Sequence, residues 1–102
     1  MAQRIVWTHR ARKERKEILA FWVRRNKSTV YSKKLNQIFR SWVSLLSKRP
    51  LIGRKTDVEN VRVKIVKDYL IFYEVTDETL FVLSIWDTRQ DPDELKISKA
   101  GR

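Results

Sequence analysis

Apolar residues recur with helical spacing between residues 28 and 49. At 100° per residue, seven of them fall within about 60° of one direction, which indicates one buried face of an α-helix. Ser28 is the expected N-cap of this helix. Pro50 predicts an end near Arg49, because proline disfavours helical geometry in the residue before it. The apolar face consists of Tyr31, Leu35, Ile38, Phe39, Trp42, Leu45 and Leu46.

A weaker pattern of the same period precedes this segment. Ala11, Ile18 and Trp22 share one face, which predicts a first helix from about His9 to Arg25. Thr8 stands where an N-cap is expected. Only a few polar residues separate the two segments, so the sequence predicts an αα-hairpin.

Strand patterns flank the helical hairpin. Arg4–Trp7 contains β-branched residues and predicts a short first strand, and Val61–Val66 alternates between apolar and polar positions. Tyr69–Val75 and Thr79–Trp86 are apolar at nearly every position, as expected for strands that are covered on both faces or central in the sheet. The expected order is therefore β-α-α-β-β-β. This is an α+β fold with the αα-hairpin packed on one face of a mainly antiparallel sheet.

The length of 102 residues favours a single domain, which we place at residues 1–97, with residues 98–102 as a frayed tail. The chain has no cysteine, which excludes a disulfide scaffold, a thiolate zinc site and a cysteine nucleophile, and suits a reducing compartment. No apolar run approaches the roughly 20 residues of a membrane span. A cytoplasmic location is the expectation.

Positive charge is concentrated in the first half of the chain. Residues 1–55 contain 16 Lys/Arg and 2 Asp/Glu, a net charge of +14, whereas residues 56–102 contain 7 and 10, a net charge of −3. Such a one-sided basic surface indicates a polyanion or a strongly acidic protein as partner. The simpler alternative is a solvated helical surface without a partner.

Common catalytic arrangements are missing from the sequence. His9 is the single histidine and has no metal-ligating neighbour, so a structural or exposed role is expected. Gly53 and Gly101 are the only glycines, which excludes a glycine-rich phosphate-binding loop. No metal and no cofactor are expected.

Basic residues around the last three strands are the remaining candidates for chemistry. Arg62 and Lys64 alternate with valines along their strand, which predicts that they face an exposed sheet surface opposite the helices. We expect the loop residues Arg54 and Lys55 and the post-strand residue Arg89 to converge on the same surface. Such a cluster suits metal-independent RNA cleavage, because it holds the phosphate and stabilises the developing negative charge. Asp57 or Glu59 is the candidate general base. Alternatively, these cations are solvated strand-face charges.

The segment from Leu45 to Leu95 resembles the RelE/ParE superfamily, the toxins of bacterial type II toxin–antitoxin pairs. The resemblance depends on the apolar strand Tyr69–Val75, the segment Leu80–Pro92 that ends beyond Arg89, and the turn Pro50–Arg54. It implies the fold described above and an antitoxin that covers the basic surface. It also implies one of two targets.

In the RelE branch, which cleaves messenger RNA in the ribosomal A site, one arginine stands on the second strand and another follows the last strand. Arg62 and Arg89 match these positions. That branch often carries a tyrosine or histidine near its C-terminus, whereas this chain has no tyrosine after Tyr73 and no histidine after His9. The ParE branch shares the fold, lacks the ribonuclease residues and poisons DNA gyrase.

The leading interpretation is a toxin that inhibits translation as a ribosome-dependent mRNA endoribonuclease. Its catalytic residues would be Arg62, Arg89 and Glu59, and its RNA-binding residues would be Arg54, Lys55 and Lys64. Its partners would be a cognate antitoxin, the ribosome and mRNA. The alternatives are a ParE-like inhibitor of DNA gyrase without nuclease activity, and a non-catalytic basic module that binds nucleic acid.

Overall fold

A computed structural model describes residues 3–90 and 94–97 of the chain. Two helices lie between the first strand and the other four strands of a five-stranded sheet. The elements are β1 (Arg4–Trp7), α1 (His9–Asn26), α2 (Val30–Lys48), β2 (Arg54–Lys55), β3 (Val61–Val66), β4 (Tyr69–Val75) and β5 (Thr79–Asp87).

The strand order across the sheet is β1-β5-β4-β3-β2. β1 pairs parallel with β5, and the other neighbours pair antiparallel. The predicted α+β fold is thus confirmed. The sequence predicts a loop at Arg54 and Lys55, but the structure has the two-residue strand β2 there, at the edge of the sheet. The tail predicted at 98–102 lies outside the described residues.

The helix ends follow the sequence signals except at the start of α2. The Thr8 hydroxyl accepts a hydrogen bond from Ala11 N at 3.2 Å, which confirms the predicted N-cap of α1. The prediction of Ser28 as the cap of α2 is wrong, because Thr29 occupies the N-cap position. Ser28 Oγ instead accepts from Val30 N at 3.2 Å, so its side chain stabilises the link and the helix starts one residue later.

The main core lies between the helical hairpin and one face of the sheet. The helices pack mainly over β5 and β1. Phe39 of α2 and Tyr69 of β4 meet edge to face with their ring centroids 5.4 Å apart. The other fully buried members of this core include Ala11, Leu35, Leu46, Ile71, Tyr73, Leu80, Val82 and Ile85.

A second, smaller core covers the opposite face of the sheet. Val61, Phe72, Leu83 and Trp86 form it, and Leu95 and Ile97 of the C-terminal segment pack against it. The guanidinium of Arg10 also donates a hydrogen bond to the carbonyl of Lys96, which ties this segment to α1. Because both faces of the sheet are covered, β4 and β5 are apolar at nearly every residue, as predicted.

Candidate functional site

Arg62 and Lys64 lie on the face of the sheet that carries the helices. In β3 they pair with Tyr73 and Ile71, which belong to the main core, and directly opposed residues of an antiparallel pair point to the same face. The prediction that they face away from the helices is wrong. The helices pack mainly over β5 and β1, so the helix-side face of β3 is open to polar side chains at Arg62 and Lys64. Val66 on the same face joins the main core, and Val61 packs in the second core.

Arg62 holds the loop that connects α2 to β2. Its Nη1 donates to Gly53 O at 2.7 Å and approaches Leu51 O at 3.5 Å. Beside it, the buried hydroxyl of Tyr73 accepts from Gly53 N at 2.9 Å and donates to Pro50 O at 2.8 Å. Desolvation raises the pKa of this tyrosine. We call residues 50–53 with Arg62 and Tyr73 the loop clamp, since every bond in it fixes loop backbone.

The predicted RNA-binding residues Arg54, Lys55 and Lys64 are divided between the two faces of the sheet. Lys64 Nζ lies 4.7 Å from the centre of the Trp42 ring, so its charge rests on α2. Lys55 is opposite Arg62 in the β2–β3 pair and shares its face. Arg54 is opposite Val63, which belongs to the face of the second core. The structure therefore separates Arg54 from Lys55 and Lys64.

A groove of about 670 Å³ lies at the end of β3 and collects three of the predicted residues, Lys55, Glu59 and Arg62. The loop that carries Glu59 is fixed by Thr56, whose hydroxyl donates to Val61 O at 2.9 Å and accepts from Val58 N at 3.1 Å.

Glu74 and Asp77 also line this groove, whereas Asp57, the other candidate base, does not. Glu74 is only 1% exposed, so its carboxylate lies largely inside the protein. Two basic and three acidic residues thus line the groove. Such a lining does not favour a phosphodiester.

Arg89 lies at the other end of the sheet and is held by Asp87. Its Nε and Nη2 donate to the two carboxylate oxygens at 2.9 and 2.7 Å, and its backbone N donates to Asp87 Oδ1 at 2.9 Å. This bidentate pair lowers the pKa of Asp87 and raises that of Arg89. The Arg89 guanidinium carbon lies 5.8 Å from the ring centre of Trp22.

The predicted convergence of Arg62 and Arg89 is wrong. Arg62 is opposite Tyr73 of β4, whereas Asp87, two residues before Arg89, is opposite Tyr69. Four residues of strand span about 13 Å. The two arginines therefore belong to different ends of β4 and do not meet around one phosphate.

Sequence reasoning missed the residues that decide these positions, above all Tyr73, Gly53 and Asp87. The pairing of Asp87 with Arg89 could have been predicted from the sequence, because opposite charges two residues apart at a strand end can form a salt bridge. The pairing of Tyr73 with Gly53 could not, since 20 residues separate them.

A second cavity, of about 380 Å³, lies beside the Asp87–Arg89 pair. Glu14, Glu17 and Asp87 line it together with the rings of Phe21 and Tyr69. Glu14 Oε1 already accepts from Ser84 Oγ at 2.7 Å and Ile85 N at 3.2 Å. Within residues 3–90 and 94–97 no group of three or more metal-ligating side chains has the geometry to hold a metal ion. No helix in this part of the chain is long and apolar enough to cross a bilayer.

The comparisons with known proteins agree with this arrangement of helices and strands. The family model described as the ParE toxin of the type II toxin–antitoxin system parDE matches residues 5–92. The chain belongs to the ParE toxin family. The resemblance to the RelE/ParE superfamily is thereby confirmed, and membership of a toxin–antitoxin family implies a cognate antitoxin as partner.

Among solved structures, a chain of the chromosomal ParDE toxin–antitoxin system from P. aeruginosa has the same fold, with a TM-score of 0.74 and 18% sequence identity. The match covers 86% of this chain and 98% of that chain. No curated protein matches the chain.

Proposed function

We propose that this ParE-family toxin stops bacterial growth by inhibiting DNA gyrase, that it cleaves no RNA, and that its cognate antitoxin neutralises it. The separation of Arg62 and Arg89 along β4, which follows from the strand register, is the observation that carries the proposal. Metal-independent RNA cleavage requires cations placed around one phosphate, so that they stabilise the charge that develops in the transition state. Here the two arginines that match the RelE pattern lie at opposite ends of β4.

The bonding of each arginine supports the same proposal. Arg62 donates to the carbonyl of Gly53, and Arg89 is bound in a bidentate pair to Asp87. Each guanidinium keeps further N–H donors, but Arg62 is oriented by loop backbone and the charge of Arg89 is compensated by the Asp87 carboxylate. Arg62 fixes loop backbone and Arg89 pairs with a neighbouring carboxylate, and a gyrase inhibitor can keep both local roles without any nuclease chemistry.

Pulse labelling after induction tests the target. Cells that express the toxin should lose thymidine incorporation before amino-acid incorporation, and the purified protein should inhibit DNA supercoiling by gyrase. Leu35→Asp, which places a carboxylate at a fully buried core position, is the unfolded control and should be harmless. Early loss of amino-acid incorporation, with transcripts cut on the ribosome, would overturn the proposal.

Ribosome-dependent RNA cleavage is the second candidate, because the groove at the end of β3 does collect Lys55, Glu59 and Arg62. For this function, Lys55→Ala should lower the cleavage of ribosome-bound mRNA at least tenfold. The exposed Lys48, which is not part of the groove lining, provides the control Lys48→Ala. Equal activity of the two variants would remove the groove from consideration as a nuclease site.

A further inference from the structure

Three arginines from both helices lie close together above β1. The two helices run antiparallel, and their relative position is fixed by Ser32 Oγ, which donates to Leu19 O at 3.1 Å. Arg40 follows Ser32 by eight residues along α2, and Ala11 precedes Leu19 by eight residues along α1. Because both helices rise about 1.5 Å per residue, Arg40 lies at the level of Ala11 and of the adjacent Arg12.

Arg15 completes this group from the next turn of α1. Residues three apart on a helix are surface neighbours, so Arg12 and Arg15 lie side by side. The Arg15 guanidinium carbon lies 4.3 Å from the ring centre of Trp7, which holds the planar group at the edge of β1. Burial and then the charges of Arg40 and Arg12 lower the pKa of Arg15. We call Arg12, Arg15 and Arg40 the arginine triad.

Nothing in the described part of the chain neutralises the arginine triad. Within residues 3–90 and 94–97, none of its members forms an ion pair with a carboxylate. Glu14, the nearest acidic residue along α1, is bonded to Arg10, Ser84 and Ile85. Like charges at this spacing destabilise a helix. The fold thus keeps a repulsive cluster that a bound anion would relieve.

We propose that the arginine triad binds carboxylates on an acidic segment of the cognate antitoxin. Guanidinium groups bind carboxylates through paired hydrogen bonds, and three of them at one site suit several acidic side chains of one segment. Apolar surface lies alongside, since Ile5 is 37% exposed and shares a sheet face with Trp7, two residues further on. A protein segment with acidic and aliphatic side chains matches both features, whereas a nucleic-acid backbone uses only the charge.

The proposal rests on membership of a toxin–antitoxin family and not on the identity of the target. It is therefore tested without gyrase or ribosomes. One probe is a fluorescein-labelled helical peptide of 15 residues with glutamate on one face and leucine on the other. The second probe is a labelled 15-base-pair DNA duplex, measured at the same salt concentration.

The test variant is Arg12→Gln with Arg40→Gln, and the control is Arg25→Gln with Arg49→Gln. All four arginines are exposed, and both double variants lose the same charge. Fluorescence anisotropy should show that the Kd for the peptide rises about fivefold in the test variant, as expected for two ion pairs of roughly 0.5 kcal/mol each. It should rise less than twofold in the control. The Tm of the test variant should equal or exceed that of the unmodified chain, because repulsion is removed.

Three results would overturn the proposal. Equal weakening in the two double variants would show that only net charge matters. Binding of DNA that depends on the arginine triad, with peptide binding unaffected, would identify a nucleic-acid site instead. Absence of peptide binding by the unmodified chain would leave the triad without an acidic partner.

Discussion

The two ends of β4 carry the same kinds of residue in opposite settings. At each end a buried tyrosine directs its hydroxyl to a partner from a helix or loop, and at each end lies one of the two arginines that match the RelE pattern. Tyr73 and Arg62 bind loop backbone in the loop clamp. Tyr69 accepts from Trp22 Nε1 at 2.8 Å, and Arg89 binds the Asp87 carboxylate.

The difference lies in what each end of β4 holds in place. The loop clamp pairs the buried amide of Gly53, and a buried donor that is left unpaired is costly. The Asp87–Arg89 pair joins two side chains at the surface, and the Arg89 side chain is 51% exposed. The two arginines that match one sequence pattern therefore differ in role. Arg62 fixes the loop between α2 and β2, whereas Arg89 contributes little to stability. The comparison predicts large, salt-independent effects at the first end and small, salt-dependent effects at the second.

Gly53→Ala should have the largest effect, because it places a methyl group inside the loop clamp. The added Cβ would meet the Tyr73 hydroxyl and would lie 2.9 Å from both Tyr73 Cε1 and Val63 O. Either the ring or the loop must move, and the bonds to Gly53 N and Pro50 O weaken. We expect a loss of about 3 kcal/mol in the free energy of unfolding, measured by urea denaturation.

Ser44→Ala, at an exposed position of α2, is the control and should change stability by less than about 0.5 kcal/mol. A similar small change for Gly53→Ala would mean that the loop can move away from Tyr73. The contrast between the two ends of β4 would then disappear.

Removing the hydroxyl of Tyr73 or of Tyr69 compares the two ends of β4 directly. Tyr73→Phe leaves the buried Gly53 N without its acceptor and should cost about 2 kcal/mol. Tyr69→Phe removes one bond from the partly buried indole of Trp22 and should cost about 1 kcal/mol. Urea denaturation at pH 7, where the two phenols are neutral, would measure both changes in the free energy of unfolding. A larger loss for Tyr69→Phe would reverse the ranking of the two ends.

The fold was predictable because its signals are local. The spacing of Leu35, Phe39, Trp42 and Leu46 predicts α2 within two residues of its observed ends, and unbroken apolar runs predict two strands covered on both faces. β2 was missed because two residues are too few to show a period. The sequence also left open which face of β3 meets the helices, since alternation defines two faces but does not identify the covering element. That choice depends partly on Leu95 and Ile97, which lie about 30 residues further along the chain.

The candidate site was less predictable than the fold because it depends on distances between chain segments. Arg62 lies on β3 and Arg89 follows β5, as the sequence predicts. Whether they meet depends on the register of β3 and β5 against β4, which no short motif encodes. The same holds for the arginine triad, whose members lie on two helices and whose aromatic neighbour lies on β1.

Asp87→Asn should have the smallest effect, and its pH dependence identifies the cause. Arg89 holds the pKa of Asp87 below its usual value of 3.8, so the folded state keeps this carboxylate ionised where the unfolded state binds a proton. The contribution of the pair is therefore fully present above about pH 4 and is lost as the pH falls through the lower folded pKa. At pH 7 the variant should be less stable by roughly 0.2 to 1 kcal/mol, a small value because Arg89 is largely exposed. Urea denaturation at pH 7 and at pH 2.5 should show this difference shrinking in acid, and 1 M NaCl should shrink it at pH 7.

Glu78→Gln, at an exposed carboxylate that forms no ion pair with residues 3–90 or 94–97, is the matched control and should change less. A loss that is equal at both pH values would mean that the Asp87 side chain acts through packing and not through its charge.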